Sequence, residues 1–304
     1  MPTQTQLIQR FVEAHTLPPS YAAAAERWLH PLMDKVSAAI NARASNNSTR
    51  SFVLGISGCQ GSGKSTAAAL ISAACDALGL GVATLSLDDF YYGRAQREKL
   101  GETVHPLLKT RGVPGTHDTD LALQTFENLL SPSNKRVSLP RFDKASDEPL
   151  PPSQWPQVVA RDIDIIVLEG WCLGATPQEP SALLRPLNAL ESGEDPDARW
   201  RNYVNEALAG SYQTLFAQVN SLVLLQAPSF ECVPQWRLQQ ERALRRSRAG
   251  VGDALLPDSA IERFVAHFER ITRHCLRTLP SQADTVIELD TSQRLVGYHT
   301  RPTN

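Results

Sequence analysis

The chain has 304 residues, 42% hydrophobic and 20% charged, values near the globular average that exclude wholesale disorder. Lys plus Arg number 30 and Asp plus Glu 32, a formal net charge of −2 that argues against a surface built to attract nucleic acid. No apolar run approaches the roughly 20 residues of a membrane helix, and the N-terminus MPTQTQLIQRFVEAH is polar from its start. The expected location is therefore the cytoplasm, with no membrane partner and no nucleic-acid partner. Five widely spaced cysteines (Cys59, Cys75, Cys172, Cys232, Cys275) suit a reducing compartment better than a disulfide framework or a zinc site.

Residues 3–43 carry apolar positions at three- and four-residue spacing and predict two helices, broken at Leu17-Pro18-Pro19-Ser20, with Pro31 a candidate kink. Phe52 to Ile56 is too short for a helix and fits a buried parallel strand. An Ala-rich helix over 64–78 and a strand over 82–87 complete a strand–helix–strand unit of a parallel sheet. From Asp88 to Pro156 the chain is polar, and one helix is expected there, over 119–130. Further strands are expected over 163–168, 221–225 and 285–289, and helices over 198–218, 230–247 and 258–277. Residues 177–196 read as a Pro/Glu/Gly-punctuated excursion, and the tail from Ser292 as loose. The fold expected is α/β, a doubly wound, mostly parallel sheet of the P-loop hydrolase/kinase type. Its parts would be an N-terminal helical extension (1–45), a kinase domain (46–292) with an acceptor segment (88–156) and a lid (236–257), and a tail (293–304).

Gly58-Cys59-Gln60-Gly61-Ser62-Gly63-Lys64-Ser65 matches the phosphate-binding pattern G-x-x-x-x-G-K-[ST] in full, and it stands between a strand and a helix as the mechanism requires. Glycines there let backbone N–H groups wrap nucleotide phosphates at a helix N-terminus whose dipole favours anions. Lys64 brings a mobile positive charge to the transferring phosphoryl group, and the Ser65 hydroxyl is a Mg²⁺ ligand. ATP and Mg²⁺ are the expected cofactors.

Asp88 and Asp89 directly follow the second strand. In a parallel sheet the carboxyl ends of strands line the ligand crevice, so one of these acids can accept the proton of an attacking alcohol; the blander reading is a capped turn. Glu169 ends the third strand, a placement that reaches Mg²⁺. Two basic clusters in the middle segment, Arg111 to Asp118 and Arg141 to Lys144, suit an anionic acceptor, because a guanidinium grips a carboxylate through two donors. Residues 236–248, rich in Arg and followed by Gly250 and Gly252, fit a lid helix and hinge. His105, His267 and His274 lack metal-ligand spacing.

The order of these blocks resembles the plant-type D-glycerate 3-kinases and their bacterial and fungal relatives, within the wider phosphoribulokinase/uridine kinase-like group. The blocks are the phosphate loop, Leu87-Asp88-Asp89-Phe90-Tyr91, Arg111-Gly112 with Gly115-Thr116-His117-Asp118, Pro140 to Lys144, Leu168-Glu169-Gly170-Trp171 and Trp236 to Gln239. The resemblance spans about residues 50–290 and implies a small-molecule kinase that phosphorylates an alcohol, glycerate first. It implies Asp88 as the base, with Asp89 the local alternative, Glu169 at the Mg²⁺ site and Arg237 and Arg245 as lid arginines. Gly58 to Thr66 would hold ATP, and Tyr91, Arg111, His117, Arg141 and Lys144 would surround the acceptor. The lid is more basic than the plant pattern. Another acceptor (pantothenate, a nucleoside or a sugar acid) and a nucleotide-binding regulatory module with little turnover are the alternatives. The assembly is expected to be a monomer or homodimer.

Overall fold

A computed structural model describes residues 3–45, 51–131, 133–247 and 257–301, without the side chains of 44, 243–247 and 259. Its strands are β1 (Phe52–Gly58), β2 (Val82–Ser86), β3 (Arg136–Ser138), β4 (Phe142–Asp143), β5 (Glu148–Pro149), β6 (Gln157–Val159), β7 (Ile165–Gly170), β8 (Ser221–Gln226), β9 (Thr285–Leu289) and β10 (Leu295–Thr300). Its helices are α1 (Gln4–Ala14), α2 (Ser20–Ser45), α3 (Lys64–Ala77), α4 (Arg94–Thr103), α5 (Thr119–Leu130), α6 (Ala189–Glu194), α7 (Arg199–Ala209), α8 (Ser211–Phe216), α9 (Val233–Ser247) and α10 (Asp258–Thr278).

Every residue of β1 and β7 is buried, the mark of strands covered on both faces. Alternate side chains divide between two apolar clusters. Phe52, Leu54, Ile56, Ile165 and Val167 join the cluster on one face, and Val53, Ile166 and Leu168 join that on the other. The sheet runs β10-β9-β8-β1-β7-β2, parallel except for β10, which pairs antiparallel with β9. From β1 the chain passes through α3 to the β2 edge, and β8 and β9 later add on the other side. The order of winding thus reverses beside β1, where the carboxyl ends of a doubly wound sheet open a crevice.

α1 and α2 lie on the same face as α3, with Phe11, Trp28, Leu29 and Leu32 buried in one cluster with Leu70 and Ile71. α2 continues through Pro31. Three expectations are corrected. The segment 88–156 holds a second helix, α4, whose buried face is Arg97 and Gly101 rather than an apolar stripe. The helix expected over 198–218 is two, divided at Gly210. Residues 295–300 are not loose: as β10 they satisfy the outer edge of β9. Two short ribbons, β3–β6 and β4–β5, stand apart from the main sheet.

Candidate active site

The turn between β1 and α3 is forced by two residues with left-handed backbone, Gly61 (φ 79°) and Gly63 (φ 89°), a conformation that disfavours a side chain. A Cβ at Gly61 would stand 2.6 Å from Cβ of Trp236, whereas one at Gly63 would meet nothing within 4 Å. Gly61 therefore lets α9 press against the loop, and Gly63 leaves the approach to the helix N-terminus open. Trp236 is fully buried and donates from Nε1 to the Thr291 carbonyl (2.8 Å). From the turn after β9, Gln293 Nε2 donates to the Gly61 carbonyl (2.6 Å). The phosphate loop is thus held from two sides by later parts of the chain. Gln60 and Lys64 face a cleft of about 480 Å³, and Thr66 is half-buried in the first turn of α3.

Parallel registration puts Ser86 of β2 beside Glu169 of β7, and Ile56 of β1 on its other side. Glu169 Oε1 accepts from Ser65 Oγ (2.8 Å) and Ser86 Oγ (3.0 Å), while its Oε2 is buried without a hydrogen-bond partner. A hydroxyl and a carboxylate with an unspent oxygen, beside a phosphate loop, fit Mg²⁺, which takes oxygen donors and is bound through one or two protein groups plus substrate phosphates.

Beyond β2 the two adjacent acids diverge. Asp88 lines the cleft, its Oδ2 accepting from Lys144 Nζ (2.6 Å) and its Oδ1 from Tyr91 Oη (2.7 Å). Burial alone would raise the Asp88 carboxyl, but the Lys144 and Lys64 ammonium groups and both hydrogen bonds outweigh it and hold it well below the ordinary carboxylate range. Asp88 in turn pushes Lys144 up. Asp89 turns away: its Oδ2 accepts from the Ser86 amide (3.0 Å), closing a capping box, and from Arg141 Nη1 (3.3 Å). Burial pushes its carboxyl up.

The cleft is also lined by Tyr91, Arg111, Lys144, Asp147, Trp171 and Arg237. Arg237 donates to Glu241 (2.5 Å) and lies over the Phe264 ring, and its buried Nε has no hydrogen-bond partner. Two expected acceptor residues stand elsewhere. His117 is buried behind Tyr91, ring against ring at 4.5 Å, and shares a 2.6 Å hydrogen bond with Tyr212. Burial depresses its imidazole to about 4, so it is neutral near pH 7. Arg141 is drawn to the edge of β2, where it donates to the Thr84 carbonyl (3.1 Å), the Pro140 carbonyl (2.8 Å) and Asp89.

With this geometry in view, three comparisons bear on identity. The chloroplastic D-glycerate 3-kinase of Arabidopsis thaliana is 28% identical over 254 residues, 79% of this chain but 52% of the plant protein. An uncharacterized kinase of Schizosaccharomyces pombe is 35% identical over 236 residues, covering 72% of this chain and 79% of that protein. The chain belongs to the D-glycerate 3-kinase family and its P-loop kinase relatives. A solved D-glycerate 3-kinase from Cryptococcus neoformans shares the fold, with a TM-score of 0.71 at 22% identity, over 90% of this chain and 99% of that one. No family model matches the chain.

As a member of this family the chain is an ATP-dependent phosphotransferase with an alcohol acceptor, acting on a small molecule. Among the described residues no helix is long and apolar enough to cross a membrane. The kinase cleft also contains residues that sequence reasoning did not place there: Arg97, Lys109, Asp147, Arg263, Phe264, His267 and Phe268. Four of these sit on α10 at positions 263, 264, 267 and 268, a helical spacing that the sequence displayed but that reads equally as core. The Arg245 side chain and the lid residues 248–256 lie outside the described residues.

Proposed function

We infer that this kinase transfers the γ-phosphate of Mg-ATP to an alcohol of a small anionic metabolite, with D-glycerate the first acceptor and 3-phosphoglycerate the product. The observation that carries the reading is Asp88, ionised and oriented by Lys144 and Tyr91, in a cleft that also presents Lys64, Arg111 and Arg237. The names of the plant and fungal relatives support the choice of glycerate.

In the reaction so read, the loop amides of Gly58 to Ser65 and the Lys64 ammonium hold the β- and γ-phosphates. Ser65 and Glu169 would hold Mg²⁺, which when bound neutralises developing phosphate charge. Asp88 accepts the hydroxyl proton as the alcohol oxygen bonds to the γ-phosphorus and the bond to the ADP oxygen breaks. A carboxylate held this firmly ionised is a weak base but a good orienting group, which suits a loose phosphoryl transition state in which the proton leaves late. Arg237, and Arg245 from the lid, would balance charge on the migrating group.

The test is ADP release by purified protein with Mg-ATP across glycerate, pantothenate, nucleosides and sugar acids. D-glycerate is expected to show the highest kcat/KM, by at least tenfold; stimulation by another compound alone would replace the acceptor. No stimulation by any of them would overturn the kinase reading of the cleft in favour of a nucleotide-binding module.

A further inference from the structure

The β4–β5 hairpin is tied to the cleft at both ends of its turn. Lys144 at one end reaches Asp88 (2.6 Å), and Asp147 at the other end bridges two arginines. Asp147 Oδ2 accepts from Arg97 Nη2 (2.7 Å), and its Oδ1 accepts from Arg111 Nη1. Arg97 is 3% exposed, and all its nitrogens are engaged. Nε donates to the Tyr92 carbonyl (3.0 Å), Nη1 to the Lys109 carbonyl (2.7 Å) and Nη2 to Asp147. Four of the five Arg97 N–H donors are thus committed to the protein, two of them from Nη2 to Asp147, and Arg97 anchors Asp147. The turn itself is stiff: Asp143 accepts from the amides of Ala145 (3.0 Å) and Ser146 (3.1 Å), and Arg94 Nη2 donates to the Ser146 carbonyl (3.0 Å). Asp147 has a left-handed backbone (φ 60°), which Asp and Asn adopt more readily than other residues bearing a side chain.

Arg111 is the other half of the arrangement. It lines the cleft, its guanidinium lies over the Phe142 ring at 5.6 Å, and only Nη1 is spent on Asp147. The Nε and Nη2 donors, on the same side of the guanidinium, form the edge that meets a carboxylate through two parallel hydrogen bonds. Phe142 borders the guanidinium on one side, and Asp147 holds its Nη1.

We propose that Asp147 is a positioning residue of the acceptor subsite: by holding Nη1 of Arg111 against the Arg97 anchor, it presents the Nε–Nη2 edge to the carboxylate of the acceptor. This rests on the anionic-acceptor reading above. The opposite possibility is that Asp147 merely occupies Arg111 and competes with the acceptor; it predicts tighter binding when the acid is removed.

The experiment compares D-glycerate with its neutral amide, glyceramide, as acceptors for wild type and Asp147→Asn. Wild type is expected to favour glycerate by about 100-fold or more in kcat/KM. Asp147→Asn, in which Asn tolerates the left-handed backbone, is expected to raise KM for glycerate about tenfold while kcat, KM for ATP and kcat/KM for glyceramide stay within twofold. The preference would therefore shrink about tenfold. An equal loss for both acceptors, an unchanged preference or a lower KM for glycerate would overturn the proposal while leaving the anionic-acceptor reading intact. A wild type with no preference for glycerate would overturn that reading and the proposal with it. Asp147→Gly, which also accepts the backbone conformation, provides a second variant with the same readout should Asp147→Asn not fold.

Discussion

Asp88 and Asp89 are neighbours in the chain, and their surroundings give them different work. Asp88 faces the cleft between Lys144 and Tyr91; Asp89 caps the turn that aims it and pairs with Arg141. Asp88→Asn is accordingly expected to lower kcat by about 10²- to 10⁴-fold with little change in ATP affinity, measured by steady-state kinetics and calorimetry. Asp89→Asn should act mainly on stability, by about 1 kcal/mol, with turnover falling only a few-fold. Lys64→Ala removes the charge that meets the phosphates and should abolish nearly all turnover; retained activity would reject the phosphate-loop assignment. His117 yields a pH prediction. Its folded pKa is depressed by burial from 6.5 to about 4, so between those values the unfolded chain binds more protons than the folded one. Its contribution to stability is thus complete above about pH 6.5 and declines as the pH falls toward 4, by about 3 kcal/mol over the window. Urea unfolding of His117→Gln should show a flatter pH dependence there than wild type does.

At the scale of elements, the phosphate loop shows what a local motif leaves unsaid. Its glycines and Lys64 are recognisable because they lie within eight consecutive positions, and the strand before and helix after them follow from apolar patterning. That Gly61 is also a packing requirement was not legible, because Trp236 and Gln293 reach it from distant points in the chain. Gly61→Ala would place a methyl group against α9 on a backbone that disfavours it, and is expected to weaken ATP binding at least tenfold by titration calorimetry. α4 escaped notice for a related reason: its buried face is a guanidinium satisfied by carbonyls, which carries no hydrophobic period. His117 and Arg141 lie close in sequence to cleft residues, yet tertiary contacts turn them to Tyr212 and to the β2 edge.

For the whole molecule, the excursion from 177 to 196 is joined to the core through buried charge. Glu191 accepts from Arg270 Nε (2.7 Å) and Nη2 (2.6 Å), and Asp195 accepts from Arg201 Nη1 (2.8 Å). Glu191 and Arg270 are 1% and 9% exposed. Glu191→Ala would strand the Arg270 charge and is expected to cost about 3–5 kcal/mol, whereas a Glu191→Leu/Arg270→Met pair should fall much nearer to wild type in urea unfolding. By itself the sequence determined the parallel α/β class, the nucleotide loop and the acids at strand ends, because these depend on short-range periodicity and spacing. Only the tertiary structure decided which of two adjacent aspartates faces the cleft, which arginine keeps a free edge and which histidine is walled in. Those outcomes depend on burial and on partners brought from distant segments, and a side chain's charge and direction follow from what surrounds it rather than from its neighbours in the chain.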